Sequence, residues 1–243
     1  MRRLGLALLM ILVVAGPAAA AEPPPKLVLA LGDTSYLSED AVGQAGAALR
    51  TELGEFGLDE YSLLVLANVP LAAVPGEIRE GLPDFLGKGG SLLVTGGPGG
   101  FGSGGYQAIA PILHFGLRGG GDWRANPFKP VLLLEPGHAI FAGVTFPTIG
   151  AFNDLNPHPG ASELARYQGG GLAAPDVGGG GGAKFASPLI AEAGVGSGAV
   201  VGVAFDLGAE IRGGWAAGSQ FAQNLVKYLV DRSPLVPKPR KKP

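Results

Sequence analysis

YSLLVLANVPLAAVPGEIREGLPDFLGKGGSLLVTGGP, residues 61–98, decides the fold. Tyr61 to Val69 is an apolar run of the kind that forms a strand buried on both faces. Pro75 suits the first turn of a helix, and Ile78, Leu82, Phe85 and Leu86 recur at helical spacing, with a kink expected at Pro83. Gly89-Gly90 ends that helix, and Ser91 to Thr95 reads as the next strand. Working back, Lys26-Leu-Val-Leu-Ala-Leu31 is an earlier buried strand closed by the polar turn Gly32-Asp33-Thr34-Ser35. Ser38, followed by Glu39 and Asp40, begins a helix, because a serine oxygen caps free N–H groups and acids suit the positive end. Val42, Ala45, Leu49, Leu53 and Phe56 then predict that this helix runs to Gly57. Strand–helix–strand–helix–strand in about 70 residues demands right-handed crossovers and a parallel sheet covered on both faces. The expected class is α/β, mostly parallel, with helices on both sides.

Working forward, GGPGGFGSGGY (96–106) carries seven Gly in eleven residues, and a short helix is expected from Tyr106. Val131 to Leu134, Ser187 to Ala191 and Ala199 to Phe205 read as strands, and Gly137 to Ala142 as a single turn. Trp215, Phe221, Leu225, Tyr228 and Leu229 mark a C-terminal amphipathic helix. Gly169 to Gly182, with eight Gly in fourteen residues, offers little to pack and reads as a flexible excursion.

Residues 1–21 read as a signal peptide: Arg2-Arg3, twelve apolar residues from Leu4 to Ala15, the break Gly16-Pro17, then small residues up to a cleavage point after Ala21. The stretch is short for a membrane span, which needs about 20 residues. A periplasmic or secreted protein is therefore expected, with a retained anchor as the alternative. Residues 22–232 form one domain and 233–243 a basic, Pro-rich tail. The chain has 18 Lys and Arg against 20 Asp and Glu. Loss of Arg2 and Arg3 leaves a net charge of −4. With Lys238, Arg240, Lys241 and Lys242 confined to the tail, the body stands near −8. Such a body has no footprint for nucleic acid, and no second apolar run suggests a spanning segment. The absence of Cys removes disulfides, thiolate metal sites and every Cys-nucleophile mechanism.

Ligands of open parallel sheets bind at the carboxyl ends of strands. Asp33, Asn68, the Gly96-Gly97 bend and Asp206 fall there, with Ser103, Tyr106 and His138 as further candidates for a ligand cleft. The same residues have a plainer reading, in which Asp33 and Asp206 cap turns or helices and Asn68 satisfies a loop. The Gly-rich loop could converge amides on an anion, but it lacks the Lys of a phosphate loop, and Pro98 removes a donor. Ser103 stands between glycines but too far beyond Thr95 for a nucleophile elbow, which must follow its strand at once. His138, His158 and Asp154 have no metal-ligand spacing, and His114 reads as a packed residue. No cofactor and no metal is expected.

Several stretches together resemble one family. Leu64-Val-Leu-Ala-Asn-Val-Pro70, Gly89-Gly-Ser-Leu-Leu-Val-Thr-Gly-Gly-Pro98, Phe101-Gly-Ser-Gly-Gly-Tyr106, Gly137-His-Ala-Ile-Phe-Ala-Gly-Val144, Asn156-Pro-His-Pro-Gly-Ala161 and Gly198-Ala-Val-Val-Gly-Val-Ala-Phe-Asp206 are similar, in order, to segments of a glutamine amidotransferase domain of the class I glutamine amidotransferase-like superfamily. The resemblance implies a flavodoxin-like sheet and a membrane-associated or exported setting. Active members use a Cys–His–Glu triad with the Cys on an elbow after a strand. The matching position here, Gly96-Gly97, offers only glycine. The expectation is a non-catalytic binding or envelope-assembly module with a protein or envelope partner. The alternatives are a hydrolase or sugar-related enzyme using Asp33, Asp206 and His138, or a small-ligand sensor.

Overall fold

The computed structural model describes residues 24–117, 121–125, 130–167, 172–173, 184–185 and 188–237. The expected signal segment, most of the 169–182 stretch and the basic residues 238–242 lie outside these.

β1 (Lys26–Gly32), β3 (Leu63–Ala67) and β4 (Ser91–Thr95) form where the apolar runs predict them, and the last two are buried along their whole length. They pair in parallel, in the register Val28–Leu63–Ser91. Ser38 caps α1 (Glu39–Gln44) by accepting from the Ala41 N–H at 3.1 Å. α1 stops there, and the helix expected to reach Gly57 does not form. Gly46 adopts φ +71, and Ala47–Arg50 become β2, an edge strand parallel to β1. The physical reason is competition: Gly43 and Gly46 weaken a helix, whereas turning at Gly46 lets four residues bond to an otherwise open edge.

α2 (Gly76–Gly87) runs through Pro83, which lies on its exposed side, and buries Ile78, Leu82, Phe85 and Leu86. Beyond β4 the sheet changes character. β5 (Val131–Leu133), β6 (Ala161–Tyr167), β7 (Pro188–Val195) and β8 (Gly198–Val203) complete an eight-stranded sheet of order β2-β1-β3-β4-β8-β7-β6-β5. β8 is parallel to β4, while β7, β6 and β5 are each antiparallel to their neighbours. β6 has no counterpart in the sequence reading: Ala-Ser-Glu-Leu-Ala-Arg-Tyr alternates too weakly, and bulges at Glu163–Arg166 blur its register. The order of the first five strands is doubly wound, with the reversal between β1 and β3.

α3 (Leu207–Arg212) follows β8, and α4 (Gly218–Arg232) packs across β3, β4 and β8. Beneath α4 lies an aromatic cluster of Phe141, Phe146, Phe205, Trp215 and Phe221, with ring centroids 5.0–6.3 Å apart. After α4, Leu235 packs against the core and its carbonyl accepts from the Ser62 hydroxyl at 2.6 Å. Among the described residues no helix is long and apolar enough to cross a membrane.

Candidate functional site

The parallel register aligns Gly32, Ala67, Thr95 and Val203 at one edge of the sheet. Asp33, Asn68, Gly96 and Asp206 therefore emerge side by side. Asn68 is held at φ +43. Its Nδ2 donates to Asp206 Oδ2 at 2.7 Å, and its Oδ1 accepts from the Gly99 N–H at 2.8 Å. The other oxygen of Asp206 caps α3, accepting from Ala209 N–H at 2.9 Å. Asp33 accepts from Ser35 and pairs with Arg212 at 2.8 Å, and that guanidinium holds its carboxyl below the usual carboxylate range. The capping roles of Asp33 and Asp206 are thus both present, although each carboxylate stays partly open to solvent.

The bend after β4 is closed from two sides. The Gly97 N–H donates to Asn153 Oδ1 at 2.8 Å, and Asn153 Nδ2 donates to the Gly97 carbonyl at 3.2 Å and to Asp122 Oδ1 at 3.0 Å. Asp122, also buried, accepts from the N–H groups of Gly102 and Ser103 and from the Ser103 hydroxyl at 2.6–3.0 Å. A β-carbon on Gly96 would stand 2.4 Å from the Ala204 carbonyl oxygen and 2.5 Å from Asn153 Oδ1; one on Gly97 would stand 2.2 Å from the Asn68 carboxamide. Gly97 itself needs φ +133. The space a side chain would take at the bend is already filled.

The Gly-rich loop is not a bed of free amides. The N–H groups of Gly96, Gly97, Gly99, Gly100 and Gly102 through Tyr106 all donate inside the protein. Phe101 and Tyr106 are fully buried, and the Tyr106 hydroxyl donates to the Val69 carbonyl at 2.8 Å. Ser103 is committed to Asp122. His138 is not at this edge: its Nε2 lies 3.2 Å from Glu192 on β7, and its ring stands 4.8 Å from that of Tyr228 on α4. Nor do His138, His158 and Asp154 form a metal-binding group: among the described residues no three His, Asp or Glu side chains converge closely enough, and Asp154 pairs with Arg124.

Four residues that the sequence reading passed over complete the picture. Asn153 and Asp122 sit in loops with no local signature, and only the fold brings them beneath the Gly-rich loop. Tyr36 and Tyr167, both buried, end in hydroxyls that make no hydrogen bond. Burial raises the Tyr36 phenol above its ordinary range, with the charges of Asp33 and Asp206 adding to this; the nearby Thr95 hydroxyl opposes it without forming an aligned bond. Burial likewise raises Tyr167, helped by Glu210. Glu210, half-buried and accepting from Gly150 N–H at 3.2 Å, is itself raised by burial.

Tyr106 is raised by burial too, and Tyr228 is pushed up to about 12, first by burial and then by its bond to Glu192. For a phenol, a folded pKa above the unfolded value near 10 gives stability that is present below that pH and lost above it. Tyr36, Tyr106 and Tyr167 are therefore expected to show no tyrosinate absorbance at 295 nm at pH 11 while the protein is folded, and Tyr228 only about a tenth of its full absorbance. They should ionise together with unfolding at higher pH. A smooth titration of all of them near pH 10 without loss of near-UV circular dichroism would contradict the packing described.

No protein-family model matches the sequence, and no curated protein matches it. In structure the chain is similar to the cytoplasmic protein STM3548 from Salmonella typhimurium, with a TM-score of 0.63 and 13% identity over 84% of this chain and 98% of that one. It is also similar to STM1381 from Salmonella typhimurium LT2 (TM-score 0.62, 15% identity, 84% and 99% covered). A ThuA-like protein from Bacteroides uniformis aligns with a TM-score of 0.55 and 13% identity over 91% and 98% of the two chains. The fold is thus α/β and flavodoxin-like, the architecture this chain shares with a ThuA-like protein.

Proposed function

We propose that this chain is an exported, non-catalytic relative of the class I glutamine amidotransferases that serves as a binding or envelope-assembly module. The observation that carries the reading is the filled bend after β4. A nucleophile elbow needs a side chain aimed from the bend with a base beside it. Here Asn68 and Asn153 occupy the positions into which such a side chain would project, and Gly97 holds a backbone conformation that L side chains rarely adopt. Export rests on the Arg2-Arg3 start, the apolar stretch and the small residues ending at Ala21. The hydrolase alternative requires a histidine beside Asp33 and Asp206, whereas His138 is engaged by Glu192.

The decisive test is ammonia release from glutamine by the purified full chain. The expected result is a rate equal to that of a heat-denatured control, and release above the control overturns the reading. For export, a mature N-terminus at Glu22 in the extracytoplasmic fraction is expected; an intact Met1 in the cytoplasm would refute that part.

A further inference from the structure

The amino edge of the sheet, opposite the Gly-rich bend, is where the described chain both starts and ends. Lys26 opens β1, and its ammonium donates to the carbonyls of Val230 and Ser233, which ties the end of α4 to the start of the sheet. From there the chain crosses the first residues of the neighbouring strands. The Leu235 carbonyl accepts from Ser62, just before β3. A β-carbon on Gly89, just before β4, would stand 2.8 Å from the Pro234 ring and 3.2 Å from Ser197, just before β8. Leu235 packs inward, but Val236 is 56% exposed. Lys238, Arg240, Lys241 and Lys242 follow within five residues of Pro237. A chain spans at most about 3.5 Å per residue, so all four cations stay within about 18 Å of that point. The segment that directs export in the reading above ends at Ala21, five residues before Lys26, and the same limit holds it to this edge.

We propose that the amino edge docks on an anionic phospholipid bilayer, with the cations of 238–242 on the lipid phosphates and Val236 at headgroup level. The proposal rests on the reading of the chain as an exported envelope module and names that module's partner. Charge complementarity carries it, because the two edges of the sheet differ in sign. The carboxyl edge holds Asp33, Glu39, Asp40, Asp206 and Glu210 against Arg212. At the amino edge Lys88 pairs with Asp59 and Lys227 with Asp231, so the folded residues come near balance and the four following cations make it basic. Each cation near an anionic surface strengthens binding about 5-fold. The seven residues of β1 separate the two edges by about 20 Å, more than twice the screening length of about 8 Å at physiological salt. An acidic body can therefore meet an anionic bilayer by this edge alone, with the carboxyl edge turned away.

The test uses the mature chain, residues 22–243, which holds every described residue, in co-sedimentation with vesicles of phosphatidylglycerol and phosphatidylcholine in equal parts. Binding is expected at 0.1 M salt, with release at 0.5 M and none to pure phosphatidylcholine. Changing Lys238, Arg240, Lys241 and Lys242 together to Gln should weaken binding at least about 30-fold and leave Tm unchanged. Orientation is read separately. The chain has no Cys, so Ser197→Cys at the amino edge and Ala72→Cys just beyond β3 at the carboxyl edge, both exposed, each accept one fluorophore. Lipids spin-labelled on the headgroup should quench the label at 197 at least about 3-fold more than the label at 72. No binding to the anionic vesicles, equal binding to both compositions, undiminished binding by the Gln variant, or equal quenching at the two positions overturns the proposal. Neither ammonia release nor the position of the mature N-terminus enters these readouts, so the docking inference and the proposed function fail separately.

Discussion

Gly97→Cys, the change that would put a sulfur at the bend after β4, is expected to destabilise the protein by about 2–6 kcal/mol and to confer no glutaminase activity. Two effects add. A side chain at φ +133 costs about 1–3 kcal/mol in backbone strain. A β-carbon 2.2 Å from the Asn68 carboxamide must also push that group out of a tightly packed site, costing about 1–3 kcal/mol more. Displacing Asn68 breaks its bonds to Asp206 and Gly99, so the damage spreads into the cap of α3. Urea denaturation measures the change, as a lower midpoint with the slope preserved. Gly97→Ala should do nearly as much harm, because the β-carbon rather than the sulfur is the offender. A stable Gly97→Cys protein that released ammonia from glutamine would mean the bend is vacant, not filled, and the proposed function would fall with it.

Phe221→Ala should cost about 3–5 kcal/mol, the usual range for truncating a fully buried aromatic. The Phe221 ring lies 6.3 Å from that of Phe141 and nearly parallel to it, 5.2 Å from Phe146 and 5.4 Å from Trp215. Removing it opens a cavity whose rigid walls cannot collapse, at the place where α4 and the 139–146 segment meet the sheet. The expected fall in Tm is about 2–4 °C per kcal/mol for a domain of this size, which calorimetry resolves easily. Phe221→Leu, which keeps most of the volume, should lose about 1–2 kcal/mol. If alanine cost less than 1 kcal/mol, the cluster would not be the support of α4 described above.

The contrast between β2 and β4 shows why some strands were more legible than others. Ser91–Thr95 has the apolar centre Leu92-Leu93-Val94 and is bounded by glycines, and a short buried strand satisfies that pattern. Ala47–Arg50 carries Leu49 at a spacing that a helix also satisfies; the choice fell to the strand because β1 offered it hydrogen bonds. β6 was hidden for a related reason: an antiparallel strand near a sheet edge needs only a few apolar positions, and its bulges break the alternation that would reveal them.

The site divides in the same way. Asp33, Asn68, Gly96, Gly97 and Asp206 could be placed from sequence because each ends an apolar run, and parallel strands bring their ends to one edge. His138 was grouped with them on residue type alone, and the tertiary structure puts it under α4 against Glu192 and Tyr228. The lack of any cysteine nucleophile and the places of β1, β3 and β4 along the chain were settled by the sequence itself, through composition and local hydrophobic pattern. That Asn68, Asp122 and Asn153 close the bend, and that Tyr36 and Tyr167 are left without partners, was decided by packing between segments far apart in the chain. Hydrophobic burial is encoded residue by residue, but a polar side chain acquires its role from whichever distant group the fold sets within hydrogen-bonding reach.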